Sequence, residues 1–145
     1  MRTHRFIREL EHDRIVNAIK AAEAKTSGQI RVFLQRGKFD EDALERAQKK
    51  FGQLEMEKTA ERNAVLIFVA PRAQKFAVIG DEGVHQKCGE KFWQDLVARM
   101  RKHFLREDFT QALVEAIEST GELLAKYFPR TGPAPNELPD EIVEG

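Results

Sequence analysis

Apolar residues recur every three or four positions in four stretches of the chain, and this spacing predicts amphipathic helices. The predicted helices cover residues 9–25, 43–56, 90–104 and 109–128. Thr26, Ser27 and Gly28 end the first helix, because glycine can adopt the left-handed backbone conformation that follows a last helical turn. Asp108 and Gln111 have the spacing of a capping box at the start of the last helix.

Three shorter stretches have the pattern of β-strands, at residues 29–34, 64–70 and 76–79. The first alternates in the manner of a strand, and the second contains no polar residue, which is typical of a strand covered on both faces. The turn at residues 71–74 is too short for a parallel crossover, so the third strand should pair antiparallel to the second. The order α-β-α-β-β-α-α predicts an α/β fold, an α-β-α sandwich around a small mixed sheet.

The helical and strand periods stop at Phe128. Residues 129–145 contain four of the five prolines in the chain and show no regular spacing of apolar residues. We therefore predict a single domain over residues 1–128 and a proline-rich flexible tail over residues 129–145. A chain of 145 residues with 41% apolar residues has the size and composition of one ordinary domain.

Charge and cysteine content limit the classes of partner. The 24 basic residues balance 24 acidic ones, so no net field draws the protein to nucleic acid or to an anionic membrane. Cys88 is the only cysteine, and the first ten residues lack the apolar segment of a secretory signal. The longest uninterrupted apolar run, Ala64 to Ala70, is far shorter than a membrane span. We expect a soluble, cytoplasmic monomer that binds neither nucleic acid nor membrane.

The topology places one pair of carboxylates at a defined edge of the sheet. A crossover helix makes the first two strands parallel, whereas the third strand runs the other way. Asp81 and Glu82, which follow the third strand, should therefore lie beside the residues that precede the first two strands. We call this edge the near rim (residues 26–28, 63 and 81–82). The far rim (residues 40–42 and 71–74) should lie about 17 Å away along the strands.

Two carboxylates in a short glycine-bounded segment offer hard oxygen ligands to Ca²⁺ or Mg²⁺. A solvated turn would use the same residues without any ion, since the glycines alone permit the turn and no EF-hand pattern is present. A histidine such as His85 can ligate a metal or take part in acid-base work, although a surface histidine is the commoner case. The acidic residues Asp40, Glu41 and Asp42 are better explained by the start of a helix than by a metal site.

Four motifs occur together in one order: T-S-G-Q-I-R-V, R-N-A-V-L-I-F-V-A, G-D-E-G-V and E-D-F-T-Q-A-L, beginning at residues 26, 62, 80 and 107. As a set they resemble the TPM domain family, the thylakoid-lumen acid-phosphatase-like domain, over residues 10–128. The resemblance implies an α/β sandwich, binding of calcium or another divalent ion, and weak acid phosphatase activity. The family's characteristic positions match Thr26, Gly28, Asn63, Gly80 and Glu82.

The sequence therefore leaves two functions open. In the first, the protein is a TPM-like domain that binds a divalent cation, calcium favoured over magnesium, through Asp81, Glu82, Asn63 and Ser27. Any enzymatic activity would then be that of a weak, metal-assisted phosphatase. In the second, the domain is a non-catalytic interaction module for an unidentified protein partner. The sequence predicts no catalytic residue and no other cofactor, since it has no nucleophile elbow, zinc motif or phosphate-binding loop.

Overall fold

A computed structural model describes residues 11–70, 73, 75–130 and 142–145. In this part of the chain there are five helices: α1 (His12–Glu23), α2 (Ala43–Gln53), α3 (Glu82–Cys88), α4 (Glu90–Leu105) and α5 (Phe109–Tyr127). The strands of the described residues are β1 (Gln29–Leu34), β2 (Ala64–Ala70), β3 (Lys75–Gly80) and β4 (Val143–Glu144). None of these helices is long and apolar enough to cross a membrane.

The strands form one mixed sheet in the order β3-β2-β1-β4. β1 is parallel to both β2 and β4, whereas β2 and β3 form an antiparallel hairpin. Gln29 pairs with Ala64, and Val65 pairs with Gly80, so the starts of β1 and β2 lie at the same edge as the end of β3. The predicted α/β class, the parallel crossover and the hairpin are therefore confirmed.

Helices cover both faces of the sheet, and the residues of β2 alternate between two apolar cores. Val65, Ile67 and Val69 belong to the larger core, which α1, α3, α4 and α5 complete. Leu66 and Phe68 face the smaller core, which is covered by α2 and the segment after it. This double burial explains why β2 contains no polar residue, because a polar side chain on either face would lose its hydration.

The structure contains one helix that the sequence did not predict. Residues 82–88 form α3, whereas the pattern indicated a loop before the helix at residue 90. Gly89, with a φ of 74°, separates α3 from α4 in a conformation that glycine adopts readily. Gly83 lies inside α3, where an added Cβ would come within 2.5 Å of the Glu61 carbonyl oxygen. Because Gly83 has no side chain, α3 can pack closely against the segment before β2. Gly83 is therefore a packing residue and not a turn residue.

The last residues of the chain also depart from expectation. Most of the predicted flexible tail lies outside the described residues, as does the beginning of the first predicted helix. Residues 142–145, however, are docked on the sheet, where Val143 and Glu144 pair with Phe33 and Leu34. A two-residue strand has no periodicity that a sequence pattern could reveal, so this pairing could not be anticipated.

Candidate cation site at the near rim

The near rim is formed where three connections meet: α1 to β1, the approach to β2, and β3 to α3. Antiparallel pairing continues beyond the hairpin strands, because the Asp81 amide donates to the Ala64 carbonyl at 2.9 Å and the Gly83 amide donates to the Arg62 carbonyl at 3.0 Å. Asn63 therefore lies across from Glu82. With Ser27 at the start of β1, the fold brings all four predicted ligands to one rim.

Asn63 is the centre of a polar cluster on one side of the rim. Its side chain is only 1% exposed, and its Nδ2 donates to Ser27 Oγ and to Glu61 Oε2, each at 3.2 Å. The Ser27 hydroxyl also donates to Glu61. The Asn63 Oδ1 atom is buried and accepts no hydrogen bond from the described residues. Three oxygen-bearing side chains from two segments thus meet at this point.

Asp81 is the centre of the second cluster and is 6% exposed. Arg62 binds it through two parallel hydrogen bonds, from Nε to Oδ2 at 2.7 Å and from a terminal nitrogen to Oδ1 at 2.9 Å. Asp81 also caps α3 by accepting the Glu82 amide at 2.8 Å. The exposed Glu82 carboxylate lies 3.9 Å from the same guanidinium. Arg62 therefore binds the Asp81 carboxylate directly and lies at the limit of ion-pair distance from Glu82.

The local backbone holds Arg62 in this position. Its φ of 52° lies in the left-handed region, which is uncommon for a residue with a side chain. The Arg62 amide donates to the Thr59 carbonyl, and the Asn63 amide donates to the Thr59 hydroxyl. Hydrogen bonding to Asp81, opposed by some desolvation, raises the pKa of Arg62 above its ordinary value, with Glu82 and Glu57 adding to the effect. The guanidinium therefore stays positively charged within an acidic rim.

Within the described residues, no three histidine, cysteine, aspartate or glutamate side chains are grouped so that they could hold an ion. His85 is exposed and lies beside the Trp93 ring, with centroids 5.9 Å apart. Burial raises the pKa of the Cys88 thiol, which disfavours the reactive thiolate at neutral pH.

Sequence analysis missed Glu61 and Arg62 as members of this site. Both belong to the segment that precedes β2, where no catalytic or metal motif is present. The hairpin register provides the signal that could have found them. Pairing of Val65 with Gly80 implies that residue 62 lies across from residue 83, next to Asp81.

The far rim differs from the near rim in its chemistry. Glu41 forms ion pairs with Lys49 at 2.8 Å and Arg46 at 3.3 Å, and Asp42 precedes α2 without a side-chain capping bond. A pocket of about 550 Å³ lies here and is lined by both polar and apolar residues. Its lining includes Asp42, Val69, Lys75, Phe76, Arg101 and Phe104. None of the four predicted ligands contributes to this pocket.

The fold and the rim geometry define an α/β sandwich with a polar site beside the parallel strands, and comparison with known proteins places it in a family. The profile of the TPM domain matches residues 2–123. The chain belongs to the TPM domain family. A search of curated proteins gave no match.

Two solved structures share the fold of this chain. The NMR structure of the BA42 protein from the psychrophilic bacterium Bizionia argentinensis is 38% identical to this chain, with a TM-score of 0.84. The match covers 94% of this chain and 96% of that one. The N-terminal domain of the cg2496 protein from Corynebacterium glutamicum is 16% identical, with a TM-score of 0.58 over 77% of this chain and 70% of that one. This second likeness concerns the fold alone.

Proposed function

We propose that the near rim binds a divalent cation, calcium in preference to magnesium. The ligands are the predicted residues Asp81, Glu82, Asn63 and Ser27, and Glu61 adds a further carboxylate. The main support is the meeting of Ser27 and Glu61 with Asn63, whose buried Oδ1 accepts no hydrogen bond from the described residues. A half-turn of the Asn63 amide exchanges Nδ2 for Oδ1 and presents an oxygen between Ser27 and Glu61.

The mixture of ligands favours calcium. Ca²⁺ accepts roughly six to eight oxygens in flexible geometry, whereas Mg²⁺ requires a nearly regular octahedron. Carboxylate, amide and hydroxyl oxygens from separate segments form an irregular set, which suits the larger ion. Waters and backbone carbonyls complete the shell, so we expect a Kd of about 10⁻⁵ to 10⁻³ M.

Arg62 has a specific role in this proposal, as an internal counter-ion that the cation replaces. The guanidinium is bound to Asp81 and lies near Glu82 in the free protein. Its side chain is 42% exposed, so it can turn into solvent without crossing the core. Binding of the ion then replaces the single charge of the guanidinium with the double charge of the cation beside the same buried carboxylate.

Weak phosphate-ester hydrolysis would follow from the same site, because a bound cation neutralises charge on phosphoryl oxygens. No side chain at the rim is an evident nucleophile. Any such activity should therefore depend on the ion and disappear with its carboxylate ligands. The alternative function is that of a non-catalytic protein-interaction module, which would not respond to ions at this rim.

Titration of the free protein with calcium and with magnesium tests the proposal. Trp93 is the only tryptophan in the chain, and it packs on Gly80, directly before Asp81, so its fluorescence should report binding. Saturating ion should raise the unfolding free energy by about 2.7 kcal/mol at a hundred times Kd. Asp81→Asn combined with Glu82→Gln should remove both responses while the melting curve without ion stays cooperative.

Arg62→Met tests the role of the guanidinium directly. If the guanidinium competes with the ion, its removal should tighten calcium binding roughly threefold to tenfold. Lys49→Met at the far rim is the matched control, since it changes the net charge equally and should leave the affinity unaltered. An identical ion response from wild type and the double carboxylate variant would leave the interaction module as the better interpretation.

A further inference from the structure

The outer edge of β1 is closed in two different ways along its length. Near the start of the strand, the Ile30 amide donates to Glu23 Oε2 at 2.8 Å, and this carboxylate is 8% exposed. Near the end of the strand, the edge is paired with residues 142–145. The first half is thus protected by a buried side chain of the preceding helix. The second half is protected only by a distant segment of the chain.

Residues 142–145 fit this edge through a defined set of contacts. The Gly145 amide donates to the Leu34 carbonyl at 2.9 Å, and the Arg36 amide donates to the Gly145 carbonyl at 2.6 Å. The Glu144 carboxylate forms an ion pair with Arg36 at 2.6 Å. Gly145 lies so close to Phe33 that an added Cβ would come within 2.7 Å of its ring. The edge therefore selects a glycine preceded by an acidic residue.

The two apolar residues before Glu144 extend this selectivity. Ile142 packs against the larger core and Val143 against the smaller one, so their side chains lie on opposite faces of the sheet. Alternation of this kind is how an added strand is recognised, with backbone hydrogen bonds for affinity and side-chain contacts for specificity. The preferred pattern is apolar, apolar, acidic, glycine, in an extended conformation parallel to β1.

The docked segment is suited to displacement. β4 has only two residues, and Ile142, Val143 and Glu144 are all half-buried. A tethered segment also competes at an effective concentration of about a millimolar, so weak contacts are enough to keep it in place. A partner segment with a few more contacts could replace it.

We propose that the edge from Phe33 to Arg36, at the end of β1 and just beyond it, is a peptide-binding groove for an extended segment of another protein. The segment adds parallel to β1 and contains two apolar residues, an acidic residue and a glycine in succession. Residues 142–145 occupy the groove as an intramolecular competitor. This groove lies at the opposite end of β1 from Ser27, so it is independent of the cation site.

Gly145→Pro in the full chain should empty the groove, because proline lacks the amide that donates to Leu34 and its ring would meet Phe33. The probe is the peptide acetyl-Ile-Val-Glu-Gly-amide, added to ¹⁵N-labelled protein. Amide shifts of Leu34, Gln35 and Arg36 should saturate in this variant and require at least roughly tenfold more peptide in wild type. Gly52→Ala is the control, since an added Cβ there meets no atom within 4 Å, and it should behave as wild type.

A charge reversal tests the selectivity of the groove. A probe with lysine in place of glutamate should bind Gly145→Pro about twofold to fivefold more weakly, the range expected for an exposed ion pair. Adding Arg36→Glu to that variant should reverse the preference. Absence of saturable shifts at millimolar peptide, equal binding by wild type, or loss of the charge preference would overturn the proposal. Dimerisation of Gly145→Pro without peptide binding would also overturn it, by assigning the edge to a second copy.

Discussion

The near rim and the far rim use the same residue types in different ways. At the near rim, Arg62 and Asp81 are 19 positions apart, Ser27 and Glu61 are 34 apart, and Asp81 is buried. At the far rim, Glu41 pairs with Lys49 only 8 positions away, and the lysine side chain is 61% exposed. The side-chain pairs of the near rim therefore join separate segments of the fold, whereas the ion pairs of Glu41 stay beside the start of one helix.

This difference shows why a short acidic stretch is not by itself a site. Exposed pairs within or beside a helix contribute little and require no special arrangement. A buried carboxylate must be matched by partners, because removing it from water is costly. Asp81 is matched by a guanidinium with an uncommon backbone conformation. The burial of Asp81 and its pairing with Arg62 therefore distinguish the near rim from residues 40–42.

The largest expected contrast between the rims concerns two glycines. In Gly83→Ala, the new Cβ would lie 2.5 Å from the Glu61 carbonyl oxygen and 2.6 Å from that of Arg62, so the near rim must open. We expect a loss of about 2 to 3 kcal/mol, despite the better helix propensity of alanine. Gly37→Ala at the far rim meets only Gln35 Nε2 at 4.0 Å and should stay within about 0.5 kcal/mol of wild type.

Urea unfolding of both glycine variants provides the measurement. Equal stability of the two would mean that the near rim tolerates separation of α3 from the segment before β2. In that case the close packing around Gly83 would not contribute measurably to the free energy of unfolding.

The second contrast concerns the two aspartates that precede helices. Asp81 accepts the Glu82 amide at the start of α3, whereas Asp42 makes no side-chain capping bond at the start of α2. Asp81→Ala should cost about 1 to 2 kcal/mol, the usual effect of losing a cap. This corresponds to a fall in melting temperature of about 3 to 10 °C. Asp42→Ala should change the melting temperature by about 2 °C or less, and calorimetry of both variants would check the ranking.

The smallest effect is expected from the titration of Glu41. Hydrogen bonding from Lys49 lowers the Glu41 pKa below 4.5 despite some desolvation, with the charges of Lys49 and Arg46 acting in the same direction. Because the folded pKa is depressed, its contribution to stability is present above pH 4.5 and is lost as the pH falls through the folded value. NMR titration of the Glu41 carboxyl should show a higher pKa in Lys49→Met. An unchanged value would mean that the lysine is not its main partner.

Sequence analysis predicted the layers of the fold well, because each layer has a regular pattern. Residues 29–34 and 64–70 were predicted with the bounds that β1 and β2 have in the structure. Sequence analysis was less successful for features that depend on contacts between separate side chains, such as helix caps. Asp108 and Gln111 have the spacing of a capping box, yet Asp108 makes no capping bond and Gln111 accepts a bond from Arg14.

The candidate site was predicted in part for the same reason. Strand directions were enough to bring Ser27, Asn63, Asp81 and Glu82 to one rim. The position of Arg62 depends on its left-handed backbone and on close packing against Gly83, neither of which has a sequence pattern. Sequence patterns therefore place the four predicted residues at the rim, but not the guanidinium that binds Asp81.

The sequence separations of the polar pairs have a consequence for the order of folding. The entropy lost on closing a loop grows with the logarithm of its length. Relative to the Arg62 and Asp81 contact, the Ser27 and Glu61 contact costs roughly 0.5 kcal/mol more to close, and the Arg36 and Glu144 contact roughly 1.5 kcal/mol more. Chain entropy therefore favours the hairpin, with its arginine and aspartate, as the first of these contacts to form. Chain entropy favours the pairing of β4 with β1 as the last of these contacts to form.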